Sequence, residues 1–198
     1  MSAELKLYKI THNGPEKPKI LRFGGLPLAG KTTLAAKISS ATGIRHLDID
    51  AVRVELFGKN PVLEANSESK QLEKAYEIMY QRAREILDDN QSLIVSATYR
   101  TRRSRAYIEQ LANIHHASLY PVWLQLNDLS EVVERLQKRI QMGGDSNILT
   151  LEDYQRVLRG VDPVDEPGTL ILDARENTDQ LATKVLSHFP LRREFLVS

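Results

Sequence analysis

The stretch Gly25-Leu26-Pro27-Leu28-Ala29-Gly30-Lys31-Thr32 has the spacing G-x-x-x-x-G-K-[ST]. An apolar run, Ile20-Leu21-Arg22-Phe23, precedes it, and a helix-compatible run, Thr32-Thr33-Leu34-Ala35-Ala36-Lys37-Ile38, follows. Between a strand and a helix, such a loop turns its backbone N–H groups toward a polyphosphate, and the positive end of the helix adds to the attraction. Lys31 is spaced to reach the β- and γ-phosphates, and the Thr32 hydroxyl to sit on Mg²⁺. Gly25 and Gly30 allow backbone conformations that a side chain would hinder. The expected ligand of residues Gly25 to Thr33 is a nucleoside triphosphate with Mg²⁺; the residues leave adenine or guanine open.

Further groups with chemical potential follow the predicted strands. Leu47-Asp48-Ile49-Asp50-Ala51-Val52-Arg53 carries two carboxylates, two residues apart. On a strand continuing to Ile49 they would share one side. Asp50 could orient or deprotonate an attacking hydroxyl, and Asp48 could hold a water on the metal. Arg53 would reach an anionic or hydroxylated acceptor. The plainer alternative makes Asp50 a helix cap and Arg53 solvated surface.

A phosphate-loop enzyme often carries an aspartate near the end of its third strand. Here that strand ends in Ser96-Ala97. Either Thr32, Asp48 and the phosphates hold the metal, or the chemistry is weak. Arg100, Arg102, Arg103 and Arg105 come next, with Arg102 and Arg103 as candidate acceptor ligands. Arg135 and Arg139, spaced i,i+4 before Gly143-Gly144, share one helix face and could act from a closing lid. His115-His116, Lys184 and His188 read as surface residues, and Trp123 as core packing.

Strands alternate with helices along the chain. Strands are predicted at about 19–24, 44–49, 92–97, 119–126 and 169–172. Helices are predicted over about 32–41, 51–57, 67–89, 102–114, 130–141, from 151, and 178–188. Gly43 is placed to end the first helix, Ser130 to cap the fifth, and Thr150-Leu151-Glu152-Asp153 has capping-box spacing. Leu93-Ile94-Val95 is apolar throughout, as suits a parallel strand buried on both faces. The expected class is α/β, a parallel sheet with helices on both faces and ligands at the carboxyl ends of the strands. Residues 1–18 read as an N-terminal appendage, with an alternating strand-like segment at Leu5 to Ile10. Residues 19–198 read as one domain, with a lid at about 139–150.

The 198 residues include no cysteine, so disulfides and thiolate metal sites are excluded. A net charge of +1 argues against an overall electrostatic grip on nucleic acid. No apolar run is long enough to span a bilayer. The expected location is the cytoplasm.

In motif order the chain resembles the P-loop kinase superfamily, and within it the small ATP-binding kinases related to zeta toxins and the polynucleotide kinase domain. The resemblance covers about residues 19–189. It rests on Gly25 to Thr32, Asp50-x-x-Arg53, Thr98 with its trailing arginines, and Arg135 and Arg139 before Gly143-Gly144. It implies an adenylate-kinase-like, three-layer fold with five parallel strands in the order 2-3-1-4-5 and a short lid. It also implies catalytic roles for Lys31, Asp50, Arg135 and Arg139, acceptor contacts from Asp50 and Arg53, and metal contacts from Thr32. Ser96 stands where many relatives carry the aspartate of an Asp-Ala-Thr triplet. The Asp48-x-Asp50 pair is similar to that of shikimate kinase, where two aspartates divide metal and substrate duties. On that pattern Asp48 replaces the missing carboxylate. The expected activity is transfer of the γ-phosphate of ATP to a hydroxyl of a small molecule. A nucleic-acid 5′-hydroxyl kinase and a catalytically weak ATP-binding regulator are the alternatives.

Overall fold

The structure is a computed structural model, and it describes residues 17–58, 67–142 and 150–189. Five strands and seven helices alternate in it. They are β1 (Lys19–Gly25), α1 (Lys31–Thr42), β2 (Arg45–Asp48), α2 (Ile49–Phe57), α3 (Ser67–Asp88) and β3 (Leu93–Ser96). Then come α4 (Arg102–Ile114), β4 (Ser118–Gln125), α5 (Leu129–Gln141), α6 (Leu151–Arg159), β5 (Leu170–Asp173) and α7 (Thr178–His188). The strands form one sheet in the order β2-β3-β1-β4-β5, and every pairing is parallel. This is the order that the resemblance implies. The segment Leu5 to Ile10 and the loop Gly143 to Asn147 lie outside the described residues.

The strand period of two divides the core between the two faces. Leu21 and Phe23 of β1 and Ile94 of β3 face a cluster with Leu34 and Ile38 of α1, Val132 of α5 and Leu181 of α7. Ile20, Leu93 and Val95 face the other way, onto Val52 of α2, Met79 of α3 and Ile108 of α4. Arg22 interrupts the apolar run of β1 and is nevertheless buried. Its guanidinium donates to the Arg105 carbonyl at 3.3 Å and lies 3.8 Å from Glu109 and 4.0 Å from Glu166. Trp123 packs in β4 as expected; a Cβ on Gly24 would come within 2.6 Å of its ring.

Helix ends follow the sequence signals closely. Gly43 ends α1 in the left-handed region, with φ at 74°, and Thr150 with Asp153 makes the full capping box of α6. Two boundaries differ from expectation. The cap of α5 is Asp128, and Ser130 donates both its backbone N–H and its hydroxyl to that carboxylate. In β2 the strand stops at Asp48, whose Oδ1 accepts from Asp50 N at 3.0 Å and Ala51 N at 3.1 Å. Asp48 is therefore the helix cap. Asp50 projects from the first turn of α2 and does not share a strand face with it.

Candidate active site

The loop between β1 and α1 sits at the carboxyl end of the central strand, where an open parallel sheet binds its ligands. Gly25 has φ at 142°, and a Cβ there would lie 2.5 Å from the Leu124 carbonyl oxygen. That position admits only glycine without a backbone shift. Gly30 begins α1 with φ at 84° and offers no side-chain cap, and the first turn of the helix carries no acidic residue. The first N–H groups of α1 are left for an external anion. Lys31 Nζ donates to the Leu26 carbonyl at 2.8 Å, so its ammonium folds over the loop. Burial lowers its pKa to about 8, against the raising influence of Asp50 and Asp48.

The end of β2 supplies the second part of the site. Asp48 Oδ2 accepts the Thr32 hydroxyl at 2.9 Å and the Ser96 hydroxyl as well. Asp48 and Ser96 are register partners across the β2–β3 ladder. His46, two residues earlier on β2, places Nε2 2.8 Å from Ser96 Oγ. Burial lowers its pKa, with Asp48 opposing. Sequence reasoning passed over His46, although the period of two puts it on the same side of β2 as Asp48.

Asp50 is the focus of the third part. The residue is exposed on the first turn of α2. Burial raises its pKa and Asp48 adds to the rise, while Lys31, Arg53 and Arg139 oppose it. Lys31 opens α1, Arg53 lies on α2 and Arg139 on α5, so the opposing cations come from three elements. Tyr76 of α3 feels the same carboxyl: its pKa is raised by burial first and then by Asp50.

Arg135 has a different task from Arg139. It donates from Nη1 to the Leu28 carbonyl at 3.1 Å, from Nη2 to the Ala174 carbonyl at 2.8 Å, and from Nε to Glu131 at 2.6 Å. It thus ties the phosphate loop to the loop after β5. A cavity of about 430 Å³ opens beside it, lined by Gly30, Thr33, Glu131, Lys138 and Glu176 among others. Its place next to Gly30 and Thr33 suits the nucleoside part of a ligand whose phosphates lie on the loop.

Two of the arginines after β3 engage the chain's own acidic segment. Arg105 is fully buried; it donates to the carbonyls of Tyr99, Arg100 and Pro163 and pairs with Glu166. Arg102 is exposed, with its side chain 2.5 Å from Asp165 and its backbone N–H on Asp162. Arg103 is exposed on α4. None of these three figures among the charges that shift Asp50. His115 lies 3.2 Å from Asp88, and Lys184 pairs with Glu176.

The donor set fits a hard divalent cation of the Mg²⁺ kind. Thr32 Oγ1 and an Asp48 oxygen already meet, and both are oxygen ligands. Among the described residues no group of three or more His, Cys, Asp or Glu forms a metal cage. Such a small set suits Mg²⁺, which relies on one or two carboxylates together with substrate phosphates. No helix among the described residues is long and apolar enough to cross a membrane.

Comparisons with known proteins agree with this geometry. The family described as AAA domain matches residues 20–164. No curated protein matches the sequence. Among solved structures, a candidate kinase from Chloroflexus aurantiacus is similar with a TM-score of 0.71 and 22% identity, over 88% of this chain and 100% of the other. Kti12 of Chaetomium thermophilum, solved with ADP-AlF3, has a TM-score of 0.62 and 15% identity over 85% and 98% of the two chains. The APS kinase of Mycobacterium tuberculosis, solved with AMPPNP and APS, has a TM-score of 0.58 and 17% identity over 88% and 98%. At these identities the likeness is one of fold. The glycine-rich loop, the strand order and the match over most of its length together make this chain a member of the AAA-domain family, with the fold of the P-loop kinases.

Proposed function

We propose that the chain is an ATP-dependent phosphotransferase acting on a hydroxyl group of a small molecule. The carrying observation is geometric: a loop built for phosphates lies at the carboxyl end of the central strand, and Thr32 behind it meets Asp48 at 2.9 Å, two residues before Asp50. In the proposed reaction the acceptor oxygen attacks the γ-phosphorus in line. Its proton passes to the Asp50 carboxylate, while the bond from the γ-phosphorus to the β,γ-bridging oxygen breaks and ADP leaves. Burial raises the proton affinity of Asp50, which favours its use as the base. Lys31 and Arg139 face the charge that spreads over the transferring group. Arg53, buried on α2, holds the acceptor side. Thr32 and Asp48 would hold Mg²⁺, which when bound neutralises charge on the β- and γ-phosphates.

The APS kinase, whose structure holds a small acceptor, and the Asp50-x-x-Arg53 motif support the small-molecule reading. The engagement of Arg102 and Arg105 with the chain's own acidic segment weighs against a nucleic-acid backbone there. The contact between Ser96 and Asp48 weighs against a non-catalytic regulator, because a carboxylate stands one strand away from the expected place.

The test is ADP release from Mg²⁺-ATP across pools of small hydroxyl metabolites, nucleosides and 5′-hydroxyl oligonucleotides, with Lys31→Ala as background. Release is expected in a small-molecule pool and lost in Asp50→Asn, which still binds ATP. Release only with oligonucleotides would move the chain to the nucleic-acid class. Bound ATP with no release in any pool would make it a regulator.

A further inference from the structure

We infer that Ser96 and His46 are positioning residues that hold Asp48 in the orientation in which its Oδ2 meets the Thr32 hydroxyl. The inference rests on the proposed role of Asp48 toward Mg²⁺ and extends it to two further side chains. Capping α2 needs only Oδ1 of Asp48. The two hydroxyls gathered on Oδ2 exceed what a cap requires. Ser96 is fully buried and lies directly across the ladder from Asp48, so its hydroxyl has one fixed direction in which to donate.

The direction of each bond follows from the acceptor at the centre. An Asp48 carboxylate only accepts, so both Thr32 and Ser96 spend their protons on it. Ser96 Oγ then has only lone pairs left for His46. Nε2 of His46 must donate, and the ring carries its proton there in its neutral form. The chain of donors runs from His46 to Ser96 to Asp48, with Thr32 entering from the other side. It also accounts for the residue found in place of the third-strand aspartate. A carboxylate at that position would face Asp48 across the ladder and repel it, whereas a serine donates to it. The anionic ligand has moved to β2, and the β3 position has become its support.

The test is a double-mutant cycle read as the Mg²⁺ concentration that half-saturates binding of a fluorescent ATP analogue. Residues that orient a metal ligand contribute about 10-fold in metal affinity. Ser96→Ala is expected to raise the half-saturating Mg²⁺ by about that factor, Ser96→Thr to restore it, and His46→Leu to shift it in the same direction. In the Asp48→Asn background Ser96→Ala should add nothing, because Ser96 acts through that carboxylate. A full additional loss in that background would overturn the inference. So would an Asp48→Asn effect that Ser96→Ala does not share. No Mg²⁺ effect from Asp48→Asn would instead remove the metal role of Asp48 itself. A second measurement needs no variant. Nitrogen-15 spectra of the imidazole in the nucleotide-free protein are expected to show His46 protonated at Nε2. A proton on Nδ1 alone would leave Ser96 without that donor and overturn the inference.

Discussion

Thr32, in the first turn of α1, donates its hydroxyl to Asp48 at the end of β2 over 2.9 Å, and so links the helix after the phosphate loop to the β2–α2 junction. The same aspartate caps α2 through its other oxygen. Asp48→Asn separates these two duties, because asparagine caps a helix about as well as aspartate. The expected loss of stability is below about 1 kcal/mol, read from thermal unfolding, while Mg²⁺-dependent nucleotide binding falls by about 10-fold or more. A large loss of stability with unchanged Mg²⁺ dependence would make Asp48 a cap and nothing more.

Lys31 gives a pH dependence with a definite sign. Its pKa is about 8 in the folded chain against 10.5 for the free side chain. Between those values the unfolded chain binds more protons, so the nucleotide-free protein is expected to gain stability as pH rises from about 8 toward 10.5. Nucleotide binding runs the other way, because the triphosphate favours the protonated ammonium. ATP affinity should fall as pH passes about 8, with uptake of a proton on binding near that pH. Calorimetry in buffers of different ionisation enthalpy measures that uptake. Binding without proton uptake, and equal in strength at pH 7 and pH 9, would contradict the assignment.

The parts of the site read most directly from sequence are those built within a contiguous stretch. A phosphate loop works through successive backbone N–H groups, so its glycines and Lys31 are visible at once. The caps at Gly43 and Thr150 are local for the same reason. Nothing local in the sequence shows where β2 stops, so its period of two puts Asp48 and Asp50 on one strand face. The strand ends at Asp48 because that carboxylate takes the first N–H groups of α2. Nor can the sequence say which of four arginines after β3 is buried. Arg105 is selected by Glu166 and Pro163, about sixty residues away. Ser96 looked like a missing carboxylate; its meaning depends on the neighbouring strand.

Arg135 joins the phosphate loop to the loop after β5 through two carbonyls, those of Leu28 and Ala174. Its planar fork suits two divergent acceptors, and a lysine ammonium does not reproduce it. Arg135→Lys is expected to weaken ATP binding by about 10-fold, or about 1.4 kcal/mol, and Arg135→Met by more. Fluorescence titration measures it. Equal affinity in Arg135→Lys would mean that charge alone matters and that the two loops need no tie.

Arg105 and Arg102 stand three residues apart and should respond in opposite ways. Arg105 is wholly buried, satisfies three carbonyls and faces Glu166, itself only 17% exposed. Removing one partner of such a pair strands the other, which typically costs about 3–5 kcal/mol. Arg105→Met is expected to lower stability by at least about 3 kcal/mol in urea unfolding. Arg102 pairs with Asp165 in the open, and an exposed pair contributes about 1 kcal/mol or less. Arg102→Met should leave the unfolding midpoint close to that of the parent chain. The contrast identifies Arg105 as the strut between the loop after β3 and the segment after α6. An Arg105→Met protein with unchanged stability and a lost response to acceptor would overturn that role and place the arginine at the substrate.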